Sequence, residues 1–167
     1  MAKKVWSFST TLRNPNRIGD FVATLSEMKG KEWNINSQCE FQIRLIKNRI
    51  YGSENTQFLN NLSDNSINII SDLKRKITFN EAENIFNEKN YQDPSMRGRT
   101  SFSPLKEIGL VKIDNNRIKI TEFGKLFMNE NYDLGELLFI FLLKWQYPNP
   151  ITSGFSNGYN IKPFINK

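Results

Sequence analysis

The sequence predicts a mainly α-helical protein with one small β-hairpin. Apolar residues recur at helical spacing in several segments that begin or end at Asn, Ser, Thr, Pro or Gly. Two short alternating stretches surround the turn-forming residues 114–116, and the hydrophobic fraction of 38% supplies a packed core. With 167 residues, the chain is expected to form one ordinary domain or two small ones, and not a large multidomain enzyme.

The N-terminal part is predicted to contain two amphipathic helices. Asn14 and Pro15 are an N-cap followed by proline at the first helical position, and the helix ends before Gly30. Its apolar residues are Ile18, Phe21, Val22, Leu25 and Met28. Ser37 and Glu40 form a possible capping box for the second helix. That helix would bury Phe41, Leu45 and Ile46 and turn Arg44, Lys47 and Arg49 outward.

Two weaker elements complete this part. Residues 5–8 are predicted as a short strand, and the Asn/Ser-rich stretch 52–72 as a short helix and one further element. A boundary near residue 70 then divides the chain into an N-terminal helical subdomain, residues 1–70, and a second subdomain, residues 71–167.

The second subdomain has the order helix, turn, helix, hairpin, helix. The predicted ranges are a helix at 80–88, a turn at 91–95, a helix at 97–108 that begins in earnest at Ser103-Pro104, strands at 110–113 and 117–120, and helices at 121–128 and 134–145. This order is typical of a winged helix-turn-helix, a DNA-binding unit, packed here on the smaller helical N-terminal part.

Composition argues against most catalytic chemistry. The chain contains no histidine and one cysteine, Cys39, which removes imidazole bases, Ser-His or Cys-His pairs and thiolate zinc clusters. Phosphate-binding glycine loops are absent as well. A nuclease-like fragment, Asp64 with Asp72-Leu73-Lys74, has no readable central sheet to carry it. We therefore expect no catalytic residue, metal site or cofactor in this chain.

The charge favours a polyanionic partner. The net charge is +6, and residues 1–52 carry nine bases and four acids against 14 and 13 in the remainder. The electrostatic footprint is therefore expected mainly in the first third. No apolar run exceeds seven residues, so no membrane association and a cytoplasmic location are expected.

The predicted DNA contacts fall into three groups. Candidates for base contacts at the start of the recognition helix are Arg97, Arg99, Thr100, Ser101, Ser103 and Lys106. Candidates for backbone contacts on the wing are Lys112, Arg117 and Lys119, and those at the first helix N-terminus are Thr10, Thr11, Arg13 and Arg17. The alternatives are a solvated basic turn, a charged strand edge that prevents aggregation, and an exposed helix start.

Six stretches together form a recognisable pattern: KKVWSFSTTLRNP at 3–15, GKEW at 30–33, RGRT at 97–100, PLKEIGLV at 104–111, ITEFGKL at 120–126 and LKWQYP at 143–148. This pattern resembles the AlwI-type restriction endonucleases, the type IIS enzymes and their nicking relatives. The resemblance implies a winged-helix recognition region that reads a short asymmetric duplex site, and a PD-(D/E)xK cleavage domain that requires Mg²⁺ and is missing here. The chain would then be a non-catalytic, monomeric DNA-recognition region.

The sequence is also compatible with three other functions. A stand-alone winged-helix transcription regulator would dimerise on a palindromic site. A winged-helix module that binds protein would not bind duplex DNA at low salt. A complete small nuclease would use Asp72 and Lys74 with Mg²⁺.

Overall fold

The structure, a computed structural model, describes residues 14–52, 56–129, 133–147 and 161–165. Within these ranges it is mainly helical with a two-stranded antiparallel sheet, which confirms the predicted fold class at this level. The predicted strand at 5–8 and the candidate contacts Thr10, Thr11 and Arg13 lie outside the described residues.

The elements follow one another with short connections. A 3-10 turn (Pro15–Arg17) precedes α1 (Ile18–Ser26), α2 (Ile35–Lys47), α3 (Thr56–Leu59), α4 (Asp64–Ser71), α5 (Phe79–Glu88), α6 (Pro94–Ile108), β1 (Val111–Asp114), β2 (Arg117–Ile120), α7 (Glu122–Phe127) and α8 (Leu134–Lys144).

Helix α2 begins earlier than the sequence predicted. Its N-cap is Asn34, whose side chain accepts from the Ser37 backbone at 3.1 Å, while the Ser37 hydroxyl accepts from the Asn34 backbone at 2.9 Å. The capping box of Ser37 with Glu40 is therefore wrong. Asn34 is an equally good cap one turn upstream, and Glu40 instead pairs with Lys31 and Arg44.

The helix that contains the RGRT stretch is also longer than predicted. It starts at Pro94, directly after the N-cap Asp93, whose side chain accepts from the Met96 backbone at 2.9 Å. Pro104 lies inside this helix and does not begin it. Because Asp93-Pro94 is a strong start signal, the predicted turn up to Ser95 is wrong.

The hairpin is confirmed and begins one residue later than predicted. Val111 pairs with Ile120 and Asp114 with Arg117. Asn115 and Asn116 turn the chain with φ of 49° and 58°, the left-handed pair that matches the twist of a two-residue hairpin.

Residues 30–33 cover the free edge of β2. The Gly30 backbone donates to the Ile118 carbonyl at 2.9 Å, and Ile118 donates to the Lys31 carbonyl at 2.9 Å. Trp33 extends this pairing, since its backbone donates to the Asn116 carbonyl at 2.8 Å and its ring stacks on Phe102 of α6 with centroids 4.3 Å apart. The order across the hairpin is thus segment 30–33, β2, β1.

Two apolar clusters form the interior, and α2 contributes to both. Phe41 and Leu45 belong to the cluster with α1, α6, the hairpin, α7 and Leu137 of α8, whereas Ile43 and Ile46 belong to the cluster with α3, α4 and α5. Both clusters combine residues from before and after residue 70. The predicted boundary near residue 70 therefore does not separate two cores.

The last helices start where the sequence predicted. Thr121 caps α7 by accepting from the Gly124 backbone at 3.0 Å, and Asp133 caps α8 by accepting from Glu136 at 2.8 Å. Among the described residues, no helix has the length and apolar character needed to span a membrane.

Candidate nucleic-acid interface

Helix α6 crosses α2 at very close range. A Cβ atom added to Gly98 would lie 1.9 Å from the carbonyl oxygen of Gln38, far inside van der Waals contact. Only glycine allows this approach of the two backbones. The glycine between the two arginines of the RGRT stretch therefore fixes how α6 lies on the protein.

The crossing divides α6 into two faces. The buried side consists of Ser95, Gly98, Ser101, Phe102, Pro104, Leu105 and Ile108. At 100° per residue, the remaining side is an arc of about 120°. We call this arc the α6 outer face, and its members are Met96, Arg99, Thr100, Ser103, Lys106 and Glu107.

Four of the six predicted base-contacting residues share this outer face: Arg99, Thr100, Ser103 and Lys106. Ser101 does not, because its side chain is 2% exposed and its hydroxyl bonds Gln42 Oε1 at 3.1 Å inside the α2–α6 interface. The prediction that Ser101 contacts a base is therefore corrected. Helical spacing places it about 100° from Thr100, the nearest member of the outer face, whereas sequence neighbourhood had grouped the two residues.

The Arg99 side chain is exposed, but hydrogen bonds to three residues fix its position. Its guanidinium donates to Asp93 Oδ2 at 2.7 Å, to Ser95 Oγ at 2.6 Å and to Gln38 Oε1 at 3.2 Å. The hydrogen bond from Ser95, followed by that from Arg99, holds the pKa of the Asp93 carboxyl below its ordinary value. A base or phosphate would therefore have to compete with Asp93 for Arg99, or bind with the pair intact.

The other members of the outer face differ in whether their side chains are already hydrogen-bonded within the protein. Thr100 Oγ1 donates to the Met96 carbonyl at 2.8 Å, and Ser103 Oγ donates to Glu107 Oε1 at 3.1 Å. The Lys106 side chain makes no hydrogen bond or ion pair with any residue in the described ranges. Its ammonium group is the most available cation on this face.

Arg97 lies outside the outer face, about 60° around the helix from Thr100. Its guanidinium carbon is 4.5 Å from the centre of the Tyr91 ring, in cation–π geometry. Its Nε is buried and has no acceptor among the described residues. Arg97 is therefore fixed by an aromatic ring and not by a carboxylate, in contrast to Arg99.

The predicted wing residues are arranged around one carboxylate. Lys112 and Lys119 are opposite each other in the hairpin, and their ammonium groups lie 3.8 Å and 2.7 Å from Asp114 Oδ2. Both are about half exposed, and the hydrogen bond from Lys119 lowers the pKa of Asp114. Arg117 instead donates to the Gly30 carbonyl at 2.8 Å, so it also fastens segment 30–33 to β2.

Arg17 is the remaining described candidate. It closes the 3-10 turn before α1, and its guanidinium lies 5.6 Å from the centre of the Phe21 ring. It makes no ion pair with a described residue. The structure leaves Arg17 able to meet an anion.

The nuclease-like fragment is not assembled. Asp64 is the first residue of α4 and Asp72 follows its last residue, so the two carboxylates are separated by about 12 Å along the helix axis. Two carboxylates that share a metal must lie side by side. This spacing does not permit a joint Mg²⁺ site.

Sequence reasoning missed one cation with a structural role. Arg49 has a positive φ of 57° and donates to four carbonyls at 2.6 to 3.1 Å, those of Ile69, Ile70, Asp72 and Arg75. It therefore closes the end of α4 and does not face outward. No sequence signal identifies such a partner set, because the acceptors are backbone atoms 20 to 26 residues away.

Comparisons with protein-family models, with curated proteins and with solved structures found no match to this chain.

Proposed function

We propose that the chain binds duplex DNA as a winged helix-turn-helix, with α6 as the recognition helix and the β1–β2 hairpin as the wing. In this proposal the three helices of the motif are α1, α2 and α6, and its strands are segment 30–33, β1 and β2. Segment α3–α5 is then an insertion between the second and third helices. This assignment replaces the predicted pairing of the helix at 80–88 with α6, because α6 packs on α2 at Gly98.

The observation that carries the proposal is the composition of the α6 outer face. It presents two cations and two hydroxyl groups, and α6 leads directly into a hairpin with three cations, Lys112, Arg117 and Lys119. Arginine and lysine suit guanine and phosphate, and hydroxyls suit either base type or phosphate. Glu107 is the single carboxylate on this face among the described residues.

We further propose that the chain acts as the target-recognition region of a type II, IIS-like restriction or nicking system. The support is the sequence resemblance, together with the separation of Asp64 from Asp72. Cleavage and its Mg²⁺ would then belong to another domain or subunit. The expected DNA site is short and asymmetric, the expected binding form is a monomer, and the expected location is the cytoplasm, where such a system meets DNA.

The test begins with selection of bound duplexes from a random pool by the full chain. On the selected site, Arg99→Ala and Lys106→Ala should each cost about 1 to 3 kcal/mol of binding free energy and reduce discrimination against changed bases. Lys125→Ala is the matched control, because Lys125 lies on α7 and, within the described ranges, forms an ion pair only with Glu122. Equal losses for all three variants, or equal losses on selected and random duplexes, would contradict base readout by α6.

Two further variants separate the roles of charge. Asp93→Asn keeps a good N-cap but removes the carboxylate that holds Arg99, so it should tighten duplex binding several-fold. Lys119→Ala should weaken all duplexes alike and lower the salt dependence by about one counterion. Weaker binding by Asp93→Asn would indicate that the Asp93–Arg99 pair is required intact.

A second candidate function, protein binding, is favoured by α8. This helix buries only Leu137 fully, and Phe139 is 62% exposed. Exposed apolar surface of this kind is typical of protein contacts. Failure of the chain to bind any duplex at low salt would support this function, whereas a stable dimer on a palindromic site would support a stand-alone regulator.

A further inference from the structure

We propose that a basic cleft on the side of α2 turned away from α6 binds the backbone of a second DNA duplex, whatever its base sequence. That this duplex is a second one rests on the proposed function. The cleft has a volume of about 570 Å³ and lies between the end of α2 and the loop that joins α4 to α5. We call it the basic cleft, because its described lining contains five cations: Lys47, Arg49, Lys74, Arg75 and Lys76.

The cations that an anion can reach in the basic cleft are mainly Lys74 and Lys76. Both side chains are exposed, and neither makes a hydrogen bond or ion pair with any residue in the described ranges. Arg75 is already paired with Glu81, and Lys47 Nζ lies 4.0 Å from a Glu27 oxygen. No carboxylate of the described residues lines the cleft itself. A concave surface lined by one sign of charge concentrates ligands of the opposite sign.

Backbone contacts hold the loop of the basic cleft in place. The Arg49 guanidinium donates to the carbonyls of Asp72 and Arg75 at 2.6 and 2.8 Å, which fastens the loop to the end of α2. Within the loop, the Asp72 carboxylate accepts from the Lys74 backbone at 3.1 Å, and the Arg75 backbone donates to the Asp72 carbonyl at 3.3 Å. A loop that is ordered before binding loses less conformational entropy when a ligand binds.

The basic cleft and the α6 outer face lie on opposite sides of the α2–α6 pair. Gln38 and Gln42 contact α6, and Lys47 lies about 180° and 140° around α2 from them. Lys47 therefore projects from the side of α2 that is turned away from α6. The α6 outer face is likewise the side of α6 that is turned away from α2. A straight duplex on the α6 outer face does not reach the basic cleft, because both helices stand between them.

The lining of the basic cleft favours a duplex backbone over other polyanions. No aromatic ring lines it among the described residues, so it offers no platform on which the bases of a single strand stack. Leu73, which is 73% exposed, is the one exposed apolar side chain of the described lining, whereas a protein partner is held by an apolar core. Duplex DNA carries one negative charge for about every 1.7 Å of its axis, which suits neighbouring lysines.

The first experiment counts the duplexes bound to one chain. The full chain is mixed at low salt with an excess of the selected site on a duplex of about 12 base pairs, little more than one helical turn, and native mass spectrometry reports the complexes. The cleft variant, Lys74→Gln with Lys76→Gln, is compared with a control, Lys125→Gln with Lys144→Gln, which removes two exposed lysines from α7 and α8. The wild type and the control should hold two duplexes and the cleft variant one, with its Tm unchanged. Equal numbers for all three proteins would overturn the proposal.

The second experiment measures the affinity of the basic cleft with the α6 outer face disabled by Arg99→Ala and Lys106→Ala. This protein should still bind a random duplex. Adding the cleft substitutions should weaken that binding about tenfold and lower the salt dependence by about two counterions, whereas adding the control substitutions should change it by less than about twofold. Equal losses for the two additions would overturn the proposal. Cleft-dependent binding of poly-glutamate that is tighter than that of the duplex would also overturn it and would indicate an acidic protein partner.

The basic cleft and the proposed function fail separately. If α6 does not bind DNA, a random duplex replaces the selected one, and the wild type should hold one duplex, the cleft variant none, and Arg99→Ala with Lys106→Ala still one. The basic cleft then stands and DNA recognition by α6 is wrong. If the cleft variant behaves like the wild type in both experiments while Arg99→Ala and Lys106→Ala lower the affinity for the selected duplex, DNA recognition by α6 stands and the basic cleft is wrong.

Discussion

The two cation-rich regions of the molecule, α1–α2 and α6 with its hairpin, use their positive charges differently. In α1–α2, Arg44 is largely buried between Glu27 and Glu40, and Lys31 bonds Glu40 at 2.7 Å. Burial by itself would raise the pKa of Glu40, but the hydrogen bonds from Lys31 and Arg44 outweigh it and lower that pKa. Arg49 is occupied by four carbonyls.

In the second region, cations remain available. Lys106 and Arg97 have no carboxylate partner in the described part of the chain, and Lys112 and Lys119 share one exposed carboxylate. The net charge of residues 1–52 therefore overstates how much of it an anion can reach. Counting charges along a sequence measures their number, and only the folded arrangement determines which are already paired.

The largest expected effect lies where the two regions meet. Gly98→Ala places a Cβ against the Gln38 backbone, and it should lower the free energy of unfolding by about 3 kcal/mol or more, because neither helix backbone can yield easily. Gly135→Ala is the matched control, since its nearest atom is a flexible Asp133 oxygen at 3.0 Å, and it should change stability by less than about 1 kcal/mol. Denaturant titration measures both, and similar effects would show that the α2–α6 approach is not tight.

The next effect tests whether the first region uses its cations for stability. Arg49→Ala should lower the free energy of unfolding by about 2 kcal/mol, because four carbonyls at the end of α4 lose a charged donor. Lys47→Ala, which loses a 4.0 Å pair with Glu27 and a 3.5 Å hydrogen bond to Asn48 Oδ1, should cost less than about 0.5 kcal/mol. Duplex affinity of folded Arg49→Ala should stay within about twofold of the wild type; a large loss would place Arg49 at the interface.

A smaller effect concerns Ser101 and separates the two faces of α6. Ser101→Ala should cost about 1 kcal/mol of stability and leave base preference unchanged. The substitution removes the hydrogen bond to the buried Gln42 Oε1, and Gln42 Nε2 already has no partner among the described residues. Adding Gln42→Met should recover most of the loss, since both polar partners are then replaced. Altered base preference in Ser101→Ala would show that Ser101 contributes to DNA recognition.

The smallest effect is a pH dependence in segment α3–α5. Glu88 accepts from the Ser63 backbone at 2.9 Å and from the hydroxyls of Ser63 and Ser66, and the backbone bond is the main reason why its pKa is lowered. A carboxyl with a lowered folded pKa stabilises the protein above its unfolded pKa and loses this contribution as pH falls through the folded pKa. Glu88→Gln should therefore flatten the decline of stability between about pH 5 and pH 3. An unchanged slope would show that Glu88 contributes nothing.

Much of the local structure was predictable because its signals are local. Asn14-Pro15, the turn at Asn115-Asn116 and the Thr121 cap each act within a few residues, and the structure confirms all three. The start of α6 was also readable from Asp93-Pro94, although the sequence interpretation placed it later. The separation of Ser101 from Thr100 follows from helical periodicity once that start is correct.

Other features could not be predicted from any pattern. The pairing of segment 30–33 with β2 joins residues more than 80 positions apart through backbone atoms, which carry no sequence signature. The carbonyl partners of Arg49 and the stacking of Arg97 on Tyr91 likewise depend on how helices meet.

By itself, the amino-acid sequence determined a mainly helical protein with one hairpin, an excess of positive charge and no histidine chemistry. Composition and short-range periodicity are sufficient for those properties. Only the tertiary structure decided that α2 supports both clusters, that Gly98 sets the position of α6, and which arginines are already paired. Those outcomes depend on contacts between distant segments, and their energies exist only after the chain has packed.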